Sequence, residues 1–185
     1  MIALLAGLPI RVVDVEQFPG ADLPPEGDVS YAANALGKAR AAAAATGHLA
    51  LADDSGIEVD ALGGAPGVLS ARFGGEGLDD AGRNREMLRS LDGVPPDRRT
   101  ARYRCVIALC EPAGHEAVTE GVVEGLLLTE PRGAGGFGYD PLFHYPPLGA
   151  TFAEIPAQVK HGVSHRAVAM RRARRILAEW LGAPP

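Results

Sequence analysis

Three observations predict an α/β fold. Helix-like and strand-like segments are intermixed along the chain rather than segregated into blocks. The chain has 185 residues and is 46% hydrophobic, which suits one domain with a sizeable core. Gly/Pro-rich turns punctuate the segments, with no internal repeat and no linker long enough to separate a second domain, so residues 1–185 are expected to form a single domain.

Each element has its own signal. Ile10–Val15 is apolar and reads as a first strand, followed by the Pro/Gly-rich loop "QFPGADLPPEGD". "SYAANALGKARAAAAATG" reads as a helix, with Ser30 as N-cap, an alanine-rich body and Gly47 as terminator. Residues 48–52 form a short apolar strand that delivers Asp53. "LDDAGRNREMLRSL" is a second helix, over roughly 79–91. "ARYRCVIALC" and "EAVTEGVVEGLLLTE" read as strands, the first with partial alternation. "SHRAVAMRRARRILAEWL" is a third helix, capped by Ser164 and stopped by Gly182, with Val168, Ala173, Ile176 and Trp180 on one face.

The formal net charge of −5 excludes a general nucleic-acid binder, whose affinity needs clustered Lys and Arg. The run Arg171–Arg175 is read as the solvated face of its helix. The two cysteines, Cys105 and Cys110, are five apart on one strand, point to opposite faces and do not bridge, as in a reduced cytoplasmic protein. No apolar run approaches the roughly 18–20 residues of a membrane helix. The first residues lack the basic front and cleavage site of a signal peptide.

The chemistry concentrates in three segments. In "LADDSGIEVDALGGAPG", Asp53 and Asp54 follow an apolar run. Ligands of α/β sheets sit beyond the carboxyl ends of strands, where a carboxylate can hold Mg²⁺ or take a proton from an attacking water. Neighbouring side chains of a strand point opposite ways, so one of the two faces a given pocket. Ser55 and Gly56 would offer backbone N–H groups to an anion. The competing reading is a solvent-exposed Asx turn.

In "EPRGAGGFGYDPLF", Gly133, Gly135 and Gly138 satisfy G-x-G-x-x-G, but Tyr139-Asp140-Pro141 opposes the helix that a dinucleotide fingerprint needs. The better reading is a loop presenting Phe137, Tyr139 and Asp140 to a nucleobase, against the plainer one of a hairpin turn with its aromatics in the core. In "AEIPAQVKHGVSHRAVAM", His165 and Arg166 open a helix, where cations oppose the macrodipole. With Lys160 they make three donors within a short reach.

These segments, as "ADDSGIEVDALGGAPGVLSARFGG", "GGFGYDPLF" and "TFAEIPAQVKHGVSHRAVA", resemble the inosine triphosphate pyrophosphatase family, and weaker likeness runs from about Glu26 to the last helix. The resemblance implies hydrolysis of ITP, dITP and XTP to the monophosphate and pyrophosphate with Mg²⁺. It implies Asp54 as catalytic base and metal-site carboxylate, and Glu26 as the other metal-linked acid, with Asp53 beside them. It implies Ser55, Phe137, Gly138, Tyr139, Asp140, Lys160, His165 and Arg166 as substrate contacts. The implied fold is an elongated mixed sheet with flanking helices in two lobes around a cleft, as a cytoplasmic homodimer.

Chemistry agrees with that implication. A phosphoryl-transfer site needs a metal to neutralise oxygens and a base to orient water. A 6-oxo purine presents an acceptor that donors such as Arg166 and His165, or backbone N–H groups, can meet, leaving adenine poorly paired. Two features depart from the pattern. The family's opening Thr/Ser-x-Asn-x-x-Lys phosphate loop has no match, and "MIALLAGLPIRVV" resembles the end of the first helix and the next strand, which come after that loop in the family. Ala33 stands where a glutamate often completes a capping box. The first departure keeps open a catalytically impaired nucleotide-binding homologue. A different phosphohydrolase using Glu26 and Asp54 stands as a third reading.

Overall fold

The computed structural model describes residues 2–183. The main elements are α1 (Tyr31–Thr46), β1 (Ala50–Val59), α2 (Asp80–Ser90), β2 (Thr100–Cys110), β3 (Glu116–Leu127), β4 (Phe143–Tyr145), β5 (Ala150–Thr151), α3 (Ala157–Val163) and α4 (His165–Trp180). The expected α/β class is what the chain forms: one five-stranded sheet in the order β1-β2-β3-β4-β5, with helices around it. β4 pairs antiparallel with β3 and with β5, Leu126 opposite His144 and His144 opposite Thr151.

The described chain divides into two compact units. One holds the residues up to Asp54, Cys105–Gly121 and the chain from His165; the other holds Ser55–Arg104 and Val122–Ser164. In the first unit, alternate β2 residues Cys105, Ile107 and Leu109 pack with Ala169, Met170, Ala173 and Leu177 of α4 and with Leu5 and Leu8. The buried stripe of α4 therefore runs through Ala169 and Leu177, with Ile176 and Trp180 at its margin. β3 approaches α4 closely: a Cβ at Gly121 would collide with His165 O and Ala169 N. Thr119 Oγ1 donates to Ala169 O at 3.0 Å beside it. In the second unit the core is aromatic. Tyr103 and Phe143 lie 4.6 Å apart between centroids, Phe143 and Phe152 5.0 Å, and Tyr103 stacks on Phe152 at 5.8 Å.

Local chemistry explains the elements. Ser30 Oγ accepts from Ala33 N at 3.1 Å, and Gly47 ends α1 at φ 67°. The cap thus works without the glutamate that Ala33 replaces. α2 is capped by Asp79, whose carboxylate accepts from Gly82 N at 2.7 Å.

Two expectations are corrected. Ile10–Val15 is not a strand. Ile10 and Val12 are 37% and 46% exposed, and Asp14 caps a 3₁₀ turn over Val15–Gln17 through Glu16 N. An apolar run becomes a strand only where a sheet edge takes up its backbone groups. β1 does not end at residue 52. It continues to Val59, so Asp53, Asp54, Ser55 and Gly56 lie within the strand and not at its carboxyl end.

Candidate active site

In the first unit the candidate residues gather around β1. Asp54 is 7% exposed, and its Oδ2 accepts from Asn34 Nδ2 at 2.8 Å. The Asn34 side chain also holds Gly27 by both backbone groups, accepting from Gly27 N at 2.9 Å and donating to Gly27 O at 3.2 Å. One carboxamide on α1 thereby ties the Glu26–Gly27 loop and Asp54 to the same point. Glu26 is itself held by Lys38 Nζ at 2.5 Å, one turn along α1 from Asn34. Sequence reasoning does not find Asn34. Its only signal is an amide inside an alanine-rich helix, on the stripe that buries Tyr31, Ala35 and Ala39.

Asp53 faces the other way, as the alternation of a strand requires. Its Oδ2 accepts from Arg166 Nε at 3.0 Å, and Cys105 Sγ lies 3.9 Å away. Each of the expected metal-site carboxylates, Glu26, Asp53 and Asp54, has a partner within the protein: Lys38, Arg166 and Asn34. Asp53 serves Arg166, and among the described residues no three His, Cys, Asp or Glu side chains form a metal-holding group. Glu26 and Asp54 remain suited to Mg²⁺ by donor chemistry, since that ion takes one or two carboxylates and fills its shell with water and phosphate oxygens. Burial, then the Asp53 charge, pushes the Cys105 thiol up to about 12, so it stays protonated. His165, at the start of α4, is 3% exposed.

In the second unit the loop 136–140 carries the aromatic set. Phe137 is 59% exposed, with the Lys160 ammonium 4.3 Å from its ring centroid. Tyr139 and Asp140 are buried, at 4% and 1% exposure. Tyr139 Oη donates to Ser70 O at 2.8 Å, and Ser70 Oγ accepts from Ile57 N at 2.8 Å. The Asp140 carboxylate accepts from Phe137 N at 2.9 Å, from Tyr103 Oη at 3.3 Å and from Lys160, which forms a buried ion pair with it. The ring that the loop offers outward is thus Phe137, while Tyr139 and Asp140 hold the loop in place. Lys160 lies on α3, a short helix not read from the sequence because Pro156 precedes it with no side-chain cap. Ser55 follows Asp54 directly on β1.

Residues 1–176 match the Ham1 family. The chain belongs to the Ham1 family. It is 54% identical over 167 residues to a protein of Desulforamulus reducens named dITP/XTP pyrophosphatase, covering 90% of this chain and 83% of that one. A protein of Geobacter sulfurreducens with the same name is 48% identical over 180 residues, covering 97% of this chain and 88% of the relative. The solved HAM1 protein of Coxiella burnetii superposes with a TM-score of 0.87 at 39% identity, covering 96% and 90% of the two chains. The expected family membership is met, and Ham1 relatives carry the same fold.

Proposed function

We propose that this Ham1 chain hydrolyses non-standard purine nucleoside triphosphates, dITP, XTP and ITP, to the monophosphate and pyrophosphate. The observation that carries the reading is the Asn34 bridge, which orients the buried Asp54 carboxylate and fixes the Glu26 loop against it. The names of relatives at 54% and 48% identity support the substrate class. They also disfavour the impaired binding homologue.

In this reading Asp54 takes a proton from the water that attacks the α-phosphorus. A P–O bond forms there, the bond to the bridging α–β oxygen breaks, and pyrophosphate leaves with the electron pair. Mg²⁺ held by Glu26 and Asp54 would neutralise phosphate oxygens. The purine stacks on Phe137, and Lys160 places a charge beside that ring. Arg166, steadied by Asp53, donates to the 6-oxo group, with His165 next to it in the chain. Ser55 completes the contacts, with Gly138 next to the stacking ring in the loop. Tyr139 and Asp140 act by holding the loop. A homodimer belongs to the same reading, and sedimentation equilibrium tests it. Among the described residues no helix is long and apolar enough to cross a membrane.

The deciding experiment is pyrophosphate release from dITP, XTP and ITP in Mg²⁺, with ATP and GTP as controls and EDTA as the metal-free arm. Release from the first three, little from the controls and none in EDTA is the expected pattern. Orthophosphate as product would place attack at the γ-phosphorus and overturn the reaction. Binding of dITP without release would restore the impaired homologue.

A further inference from the structure

We infer that Asp80 and Asn84, on the first turns of α2, form a clamp on Gly138 that positions Phe137 for the purine; this rests on the function proposed above. Gly138 N donates to Asp80 Oδ2 at 2.6 Å, and Asn84 Nδ2 donates to Gly138 O at 2.8 Å. Asp80 and Asn84 are four apart, so they share one face of the helix. Both polar groups of a single glycine are thus taken by one helix face, 54 and 58 residues away in sequence. Gly138 sits at φ 59°, a left-handed conformation that glycine adopts without a Cβ penalty.

The clamp sits beside the exposed ring. Phe137 N is held by Asp140 and Gly138 by α2, so the backbone is fixed on both sides of the one side chain the loop presents outward. An aromatic held this way loses little further freedom when a base stacks on it. The clamp is itself braced: Asp80 Oδ1 accepts from Arg83 at 2.7 Å, and Asp79 caps the helix. Asn84 is 8% exposed, and its Oδ1 is buried and meets no donor among the described residues. A buried amide with one half unserved is costly, and the bond to Gly138 is what its other half does. These are positioning residues, since they act through Gly138 and the proposed reaction gives neither side chain a contact with the nucleotide.

The test compares Asn84→Ala, Asp80→Ala and Asp80→Asn with the wild type. It measures kcat and KM for dITP, dITP affinity by calorimetry, and hydrogen exchange over 136–140 without nucleotide. Loss of one clamp bond should raise KM and Kd about tenfold and leave kcat within about threefold, the pattern of lost binding in ground and transition state alike. Exchange over the loop should speed up by about tenfold or more. Asp80→Asn, which keeps an acceptor for Gly138 N, should stay near the wild type. Unchanged exchange, or faster exchange with unchanged KM and Kd, overturns the clamp. So does a fall in kcat as large as the rise in KM. If Asn84→Ala does not fold, Asp80→Ala decides by the same criteria. A wild type that releases no pyrophosphate defeats the proposed reaction instead, and the clamp is then judged on Kd and exchange alone.

Discussion

Asn34 donates to Asp54 across 20 residues of sequence, at 2.8 Å, and the same carboxamide grips Gly27 by its N–H and its C=O. Replacing it with alanine removes all three bonds at once. Asn34→Ala should lower stability by about 1–3 kcal/mol, through the loss of hydrogen bonds worth on the order of 1 kcal/mol each. It should also lower kcat by on the order of 10–100-fold, because Asp54 and the Glu26 loop lose their common anchor. Asp54→Asn should abolish turnover and leave the melting temperature near that of the wild type. Denaturant melts and pyrophosphate assays on both variants check this. Wild-type kcat in Asp54→Asn would remove Asp54 as the base.

The Asp53–Arg166 pair should behave as one unit. Arg166→Ala should reduce the preference for dITP over dATP by on the order of tenfold, the worth of one charge-assisted hydrogen bond. Asp53→Ala should move the preference the same way, and the double variant should fall short of the sum. Additive effects in a double-mutant cycle on kcat/KM would mean that Asp53 acts elsewhere.

The Asp80 clamp should respond to acid. The side-chain bond from Arg83, then the backbone N–H of Gly138, hold the Asp80 carboxyl below its ordinary value. A depressed folded-state value gives stability that is fully present above the unfolded value, about 3.9, and lost as pH falls through the folded one. The melting temperature of the wild type should therefore drop more than that of Asp80→Asn between about pH 5 and pH 3. Parallel curves would show that the carboxylate contributes nothing there.

Cys105 should resist thiol reagents. Its thiol is buried and shifted up to about 12 by burial and by the charge of Asp53, so almost no thiolate exists at neutral pH. Native protein treated with a maleimide and mapped by mass spectrometry should leave Cys105 unmodified until denaturant is added.

Much of the scaffold is legible in the sequence because its signals are local. Ser30 and Gly47 bound α1 to the residue, and the caps and periodicity of α2 and α4 place them within a residue or two. β2 and β3 are legible from their β-branched and apolar runs. Ile10–Val15 misleads because apolar sequence does not say whether a sheet edge is available. β1 misleads because Asp53 and Asp54 look like a strand end, yet each carboxylate finds a partner, Arg166 on one side and Asn34 on the other. Three motifs reveal the candidate residues, but not the side chains that organise them. Asn34, Asp80 and Asn84 read as ordinary polar residues of helices, and their partners lie 20, 58 and 54 residues away. Periodicity carries no information about such pairings.

Gly121 has a further consequence. The backbone of α4 fills the space its Cβ would occupy, against His165 O and Ala169 N, and neither is the far end of a flexible side chain that could swing aside. Every replacement, alanine included, must push the helix bearing His165 and Arg166 off the strand. In a saturation library selected for activity, position 121 should be empty of survivors, and it should stay empty when the selection is for soluble folded protein alone. Codon 138, where nothing lies within 4 Å of the missing Cβ, should instead retain some small residues under the second selection and fewer under the first. The contrast between those two glycines would separate, within a single experiment, the residues that selection keeps for packing from those it keeps for catalysis.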